Sequence, residues 1–165
     1  MTHIRLPFIL GAALASALAF TANAAIPGQP MEADVKTIDA CLADAVNAKT
    51  DQDVCIGRVS SQCQENAPTT AAKEACNDRE LLVWNAALVR DYARLTALVT
   101  DNNVKQALRD AERDFVVAKL AKCTFDRLVH KDSPDGLIAA SRCDVTATAR
   151  QDLWLNQEIE SLSSH

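Results

Sequence analysis

The stretch LLVWNAALVRDYARLTALV, residues 81–99, decides the fold because its apolar residues recur at helical spacing. Steps of three or four residues connect Leu81, Trp84, Leu88, Tyr92, Leu95 and Val99. Residues spaced in this way share one face of an α-helix. The pattern therefore predicts a long amphipathic helix over about 71–100, with Trp84 and Tyr92 packed in the core.

The same periodicity continues on both sides of this helix. A second long helix is predicted over 103–129 from the spacing of Val104, Leu108, Ala111, Phe115 and Ala118. Further helices are predicted over 33–48, 52–63 and 137–160.

Turn and capping residues separate these segments, and no segment alternates apolar and polar residues as a strand does. The sequence predicts an all-α fold: a small disulfide-stapled helical bundle with two long antiparallel helices plus shorter helices.

The first 24 residues have the pattern of a secretory signal peptide. His3 and Arg5 precede an apolar run that ends at Phe20, and Ala22-Asn23-Ala24 follows. The run is shorter than the ~20 residues that a membrane-spanning helix needs, and an A-x-A motif is typical of a cleavage site. We expect cleavage after Ala24 and no membrane insertion of the mature chain, which would be periplasmic or secreted.

The mature chain is predicted to be acidic and to form one domain. Residues 25–32 contain two prolines and a glycine and are predicted to be a flexible lead-in, and residues 33–165 are predicted to be a single helical domain. Without Arg5 the chain has 16 basic and 22 acidic residues, a net charge of −6. An acidic surface disfavours nucleic acid and favours a basic protein partner, although the charge also keeps an exported domain soluble.

Six cysteines in an exported chain predict disulfides rather than free thiols. If residues 55–63 are helical, Cys55 and Cys63 lie ~12 Å apart along the axis, too far for a bond between them. Each must then bond to another segment. The nearest partners give the predicted pairs Cys41–Cys55, Cys63–Cys76 and Cys123–Cys143 among fifteen possible pairings.

No pattern in the chain indicates a metal site or a catalytic site. No two cysteines are spaced as zinc ligands or as a C-x-x-C redox pair, and only His130 and His165 follow the signal peptide. His130, Ser133 and Asp135 are close in sequence but lie in a predicted turn, which does not make a triad. The sequence predicts a protein that is not an enzyme and has no cofactor.

The segment CNDRELLVWNAALVRDYARL, residues 76–95, resembles the LprI-like lysozyme-inhibitor domain family of exported bacterial proteins. The family's helical pattern is matched by Cys76, Glu80, Trp84, Leu88 and Tyr92. A second helix of the family resembles LRDAERDFVVAKLAKC, residues 108–123, and VCIGRVSSQC, residues 54–63, is similar to one branch of it. Five positions depart from the family pattern: Asn85, Val89, Glu112, Phe115 and Lys119.

This resemblance implies a compact, disulfide-bonded helical domain outside the cytoplasm and, for a named member, inhibition of lysozyme. An inhibitor must fill the cleft of a basic lysozyme, where two carboxylates lie. The predicted contact segment is DRLVHKDSPDG, residues 126–136, in which His130, Lys131, Ser133 and Asp135 are candidate contact residues, with Trp154 as a further one. The alternative is an envelope structural or interaction module without lysozyme activity.

Overall fold

A computed structural model describes residues 28–164 as an all-α bundle. Its helices are α1 (Glu32–Ala48), α2 (Arg58–Gln64), α3 (Thr70–Leu98), α4 (Asn102–Val129) and α5 (Pro134–Ser163), and a short 3₁₀ helix, Gln52–Cys55, precedes α2. The predicted all-α, disulfide-stapled fold is confirmed. The predicted signal peptide and the first three residues of the lead-in, 25–27, lie outside the described residues.

Local sequence explains where the three long helices begin. The Thr69 side chain accepts a hydrogen bond from the backbone N–H of Ala72, and Asp101 accepts from the N–H groups of Asn103 and Val104. Ser133 likewise accepts from Gly136 N–H, and Pro134 occupies the first turn of α5. These are the usual N-terminal caps of helices.

α3 and α5 form the centre of the bundle. They pack against each other, α4 packs against α5, and α1 and α2 pack against α3. The main core cluster joins four helices and contains Ile38, Val59, Val83, Trp84, Val145, Ala149 and Leu153. A second cluster at the end where α3 and α4 connect contains Leu95, Leu108, Leu155 and Ile159. The bundle thus has three long helices, one more than the two predicted, because α5 extends over 30 residues.

Three disulfides join neighbouring segments: Cys41–Cys55, Cys63–Cys76 and Cys123–Cys143. The first ties α1 to the 3₁₀ helix, the second ties α2 to α3, and the third ties α4 to α5. Each bridge therefore holds together two segments that follow one another along the chain.

The predicted helix over 52–63 is wrong in one respect, because the chain breaks at Gly57. Gly57 has a φ of +90°, a left-handed conformation that L-residues with a side chain rarely adopt. This bend aims the Gly57 N–H at Glu80 Oε1, 2.6 Å away, while Ser60 N–H donates to Glu80 Oε2 at 2.7 Å. Trp84 Nε1 also donates to Glu80 Oε1, at 3.0 Å.

Glu80 is fully buried, and these three hydrogen bonds satisfy its carboxylate. A buried charge without partners costs several kcal/mol, so loss of any one donor would destabilise the fold. The Glu80 side chain thereby links the Gly57 turn to the Trp84 indole. The motif VCIGRVSSQC therefore supplies both two disulfide cysteines and the backbone donors for Glu80.

The predicted apolar stripe of α4 is only partly buried. Leu108 is buried and Phe115 half-buried, but Val104, Ala111 and Ala118 are exposed. α4 has extensive contact with α5 alone. The face of α4 that contacts α5 is therefore narrow. Polar contacts contribute to it: Gln151 Nε2 of α5 donates to Glu112 Oε1 at 2.6 Å, and Lys119 Nζ of α4 donates to Thr148 Oγ1 at 3.2 Å.

Candidate functional site

The connection between α4 and α5 forms a rigid, exposed turn. We refer to residues 125–137 as the turn tip. Lys131 and Asp132 both have positive φ values, 57° and 51°, and Arg127 Nε lies 3.0 Å from Asp132 Oδ1. The Cys123–Cys143 bridge closes the base of the two helices. The backbone of the turn tip is thus held by a disulfide, a cap and an ion pair.

Gly136 allows the close approach of the two helices at this point. A Cβ atom there would lie 2.6 Å from the Arg127 carbonyl oxygen, which is closer than real Cβ contacts. The helix α5 therefore starts directly against the last turn of α4.

The surface of the turn tip combines apolar, basic and acidic side chains, and Asp132 and Asp135 are its exposed acids. Phe125, Leu128 and Val129 are each more than half exposed, and His130 and Lys131 are exposed beside them. Ser133 caps α5 and Asp135 lies in its first turn, where an acid stabilises the helix dipole. Both of these predicted contact residues thus have structural roles.

Trp154 does not belong to the same surface. It lies 20 residues after Pro134 on α5, which corresponds to ~30 Å along a helix. There it is 36% exposed and lines an apolar groove of about 350 Å³ with Val99, Val104 and Leu162. The five residues predicted as contacts are therefore divided between the turn tip and a distant part of α5.

A cavity of about 400 Å³ lies between α1, α3 and α5. Ile38, Val83 and Trp84, which are all buried, contribute to its apolar part. Its polar lining includes Asp39, Arg90, Asp152, Asn156 and Glu160. Sequence reasoning missed this cavity because its walls come from helices more than one hundred residues apart in the chain.

Two buried carboxylates on facing helices, Asp91 and Asp152, have opposite environments beside this cavity. Arg90 donates to both oxygens of Asp91, at 3.0 and 2.7 Å, and Asn156 Nδ2 donates to Asp91 Oδ2 at 3.0 Å. Burial alone would raise the pKa of Asp91, but these hydrogen bonds outweigh it and the pKa is lowered.

Asp152 instead has its pKa raised to about 7, first by burial, then by the negative charge of Asp91 and by the hydrogen bond that the protonated Asp152 donates to Asp91. Its Oδ1 atom is buried and has no hydrogen-bond partner. A signal for this site was present in the sequence. Asp152 interrupts the helical series of Val145, Thr148, Leu155 and Ile159, which face the core.

The described part of the chain has neither a metal-binding cluster nor a membrane-spanning helix. Within residues 28–164, no group of three or more His, Cys, Asp or Glu side chains is placed to hold a metal ion. None of the helices described is both long and apolar enough to cross a membrane.

Comparison with known proteins places these features in a family. Residues 60–155 of the 165-residue chain match the family described as Lysozyme inhibitor LprI. The chain is also 29% identical over 130 residues to an uncharacterized 17.7 kDa protein in the puhA 5′ region of Rhodobacter capsulatus, covering 70% of this chain and 80% of the relative. No solved structure matches it. The match spans α2, α3, α4 and most of α5, and the chain therefore belongs to the LprI lysozyme-inhibitor family.

Proposed function

We propose that this chain is an exported protein-binding domain that inhibits a basic lysozyme by blocking its cleft. The observation that carries this proposal is the match of residues 60–155 to a family described as lysozyme inhibitors. Three disulfides are typical of proteins outside the cytoplasm, where lysozymes act. The signal peptide proposed for residues 1–24 would deliver the chain there.

The turn tip is the surface that we assign to the cleft. Its backbone is fixed before binding, so little conformational entropy is lost when it inserts. Phe125, Leu128 and Val129 would be removed from water, and Lys131 or His130 would meet the carboxylates of the target. Acidic residues outnumber basic residues in the chain, and this net negative charge would attract a basic lysozyme at long range.

A cell-wall lysis assay tests the proposal. The chain without residues 1–24 is titrated against a basic lysozyme at low and at moderate salt. We expect inhibition at micromolar concentration, weaker at moderate salt because ions screen the long-range attraction. Absence of inhibition under both conditions would refute the proposed function.

Substitutions in the turn tip test the assigned surface. His130→Ala combined with Lys131→Ala is expected to raise the inhibition constant at least tenfold, which corresponds to ~1.4 kcal/mol. Lys73→Ala, an exposed lysine at the start of α3, serves as the matched control. If the control and the double variant inhibit equally well, the turn tip is not the contact.

The outer face of α4 supports an alternative, an envelope interaction module with another partner. Val116, Val117 and Leu120 are 56%, 64% and 68% exposed on consecutive turns. Exposed apolar groups in a continuous row are typical of interaction surfaces. If lysozyme is not inhibited, a pull-down from envelope extract with the native chain and a Leu120→Glu variant tests this module. A partner retained by the native chain and lost with the variant would support it.

A further inference from the structure

The outer face of α4 changes from polar to apolar along the helix. Residues of an α-helix are ~100° apart around its axis, which places one row of side chains opposite the buried residues Leu108 and Cys123. In chain order this row is Gln106, Asp110, Arg113, Val117, Leu120, Ala121, Thr124 and Leu128. A face that meets only water is polar along its whole length. The second half of this row therefore has the composition of a covered face.

Six large apolar side chains in this second half are each more than half exposed. We refer to them as the α4 patch: Val116, Val117, Leu120, Phe125, Leu128 and Val129. At ~150–200 Å² per side chain they expose about 600 Å², the upper end for the largest patch on a monomer. Two such patches together reach the ~1,200 Å² at which specific interfaces begin. α4 has extensive contact with α5 alone, on its other face, so the α4 patch is open along its length.

The α4 patch is complementary to itself when two copies of α4 lie antiparallel. Contacts across a two-fold axis are reciprocal, so an axis at the level of residues 122–123 fixes every pair. Val117 then lies opposite Leu128 of the second copy, and Leu120 lies opposite Thr124. Ala121 lies opposite Phe125. In each pair a larger side chain meets a smaller one, which favours close packing.

Charges at the two ends of the α4 patch select this direction. Arg113 and Asp114 precede the patch, Lys131 and Asp132 follow it, and all four are exposed. In the antiparallel arrangement Asp114 lies at the level of Lys131, and Arg113 at the level of Asp132. A parallel pair would instead bring each charge beside its own copy, which is repulsive. The chain turns back after Asp132, so the contact ends there and the polar half of α4 stays in water.

We propose that the α4 patch is a homodimer interface, on which a second copy of this chain packs with its α4 antiparallel. The apolar side chains supply the affinity, and the charges at both ends fix the register. The interface is small, so we expect a dissociation constant on the order of 10 µM. Dimerisation is separate from lysozyme inhibition and does not depend on it.

The two surfaces nevertheless overlap. Phe125, Leu128 and Val129 belong both to the α4 patch and to the turn tip. A dimer therefore covers part of the surface that we assign to the lysozyme cleft, and the second copy and a lysozyme would compete for it.

Sedimentation velocity of the chain without residues 1–24 tests for the dimer. Between ~1 µM and ~200 µM we expect a change from monomer to predominantly dimer. Val117→Glu places a carboxylate in the centre of the interface and should raise the dissociation constant at least ~10-fold. Gln106→Glu places the same group on the same row outside the interface and should leave it unchanged. A monomer at every concentration, or a dimer that Val117→Glu does not weaken, would overturn the inference.

An exchange of charges tests the antiparallel register. Asp114→Lys and Lys131→Asp each bring like charges together at both ends of the dimer and should raise the dissociation constant ~5-fold. The double variant restores opposite charges and should return the constant to near its native value. Aspartate tolerates the positive φ of residue 131, and circular dichroism checks that each variant is folded. A double variant no tighter than the single variants would refute the antiparallel dimer.

The sedimentation measurement contains no lysozyme, so failure of dimerisation and failure of inhibition are distinguishable. A chain that inhibits lysozyme but stays monomeric up to ~200 µM would refute the dimer alone. A monomeric chain that retains an envelope protein through Leu120 would assign the α4 patch to that protein and would also overturn the dimer.

Discussion

At the scale of single residues, three buried carboxylates differ because their hydrogen-bond partners differ. Glu80 accepts from two backbone N–H groups and an indole, and Asp91 accepts from Arg90 and Asn156. Asp152 instead shares a hydrogen bond with the neighbouring acid Asp91, and its Oδ1 atom is buried without a basic or amide donor. Two of these acids are therefore stabilised as carboxylates by N–H donors, whereas the third is stabilised in its protonated form.

Glu80→Gln is expected to lower the free energy of unfolding by ~2–3 kcal/mol. The amide NH₂ group must replace one carboxylate oxygen and would then face a backbone N–H, either that of Gly57 or that of Ser60. Urea denaturation monitored by circular dichroism measures the change. Glu74→Gln, a half-buried position on the same helix, is the control, and equal stability of the two variants would contradict the role assigned to Glu80.

The sequence predicted the faces of such residues but not their partners. The resemblance aligned Cys76, Glu80 and Trp84 on one helix, and periodicity placed Trp84 in the core. The donors to Glu80 come from a turn 20 and 23 residues earlier, and only the left-handed backbone at Gly57 aims them. Contacts of this range depend on the angle of a connection, which periodicity does not determine.

At the scale of helices, predicted positions agree with the structure where a cap and an apolar face coincide. α3 begins within one residue of its predicted start because Thr69 caps it, and α4 begins after the capping residue Asp101. The segment over 52–63 differs because the left-handed backbone at Gly57 separates the 3₁₀ helix from α2. The α4 stripe differs because spacing alone cannot tell whether one neighbouring helix or several will cover it.

Gly136→Ala is expected to destabilise the protein by ~1–3 kcal/mol although alanine is the better helix former. Its Cβ would meet the Arg127 carbonyl oxygen at 2.6 Å and would push α4 and α5 apart at the turn tip. Thermal unfolding measures the loss. Lys122→Ala, at an exposed position on α4, is the comparison. A Gly136→Ala variant as stable as the native chain would show that the two helix ends move apart without cost.

At the scale of the whole molecule, stability is expected to fall as pH rises from 5 to 8. The pKa of Asp152 is about 7 in the folded chain, against ~3.9 for an unfolded aspartate. The folded state binds this proton more tightly than the unfolded state does. The resulting contribution to the free energy of unfolding is fully present below pH ~4 and is lost as pH rises through 7. The lowered pKa of Asp91 acts in the opposite direction, but only in acid.

Asp152→Asn should remove this dependence. Relative to the native chain, the variant is expected to gain ~2–3 kcal/mol in free energy of unfolding between pH 5 and pH 8. Denaturant titrations at the two pH values measure the gain, with Asp114→Asn as the control for a lost charge. If the free energy of unfolding changes equally between pH 5 and pH 8 in Asp152→Asn and the native chain, Asp152 ionises as freely as an exposed acid.

The two candidate sites differ in how far the sequence could predict them. The sequence predicts a turn at 133–136 from its serine, proline and glycine. The structure places the turn at 130–133 and begins α5 at Pro134, because Ser133 caps the helix and Pro134 fits its first turn. The cavity requires three helices, drawn from residues 35–160, to meet with a gap between them. Such a gap depends on packing rather than on any single segment.

The order of the disulfides along the chain has a consequence for biogenesis. Each bridge joins a cysteine to the next one in sequence, with separations of 14, 13 and 20 residues. A chain that crosses a membrane with its N-terminus first therefore exposes every native pair before the following cysteine emerges. An oxidase that links thiols in their order of arrival would produce the native pattern directly, and a disulfide isomerase would be dispensable for maturation of this domain.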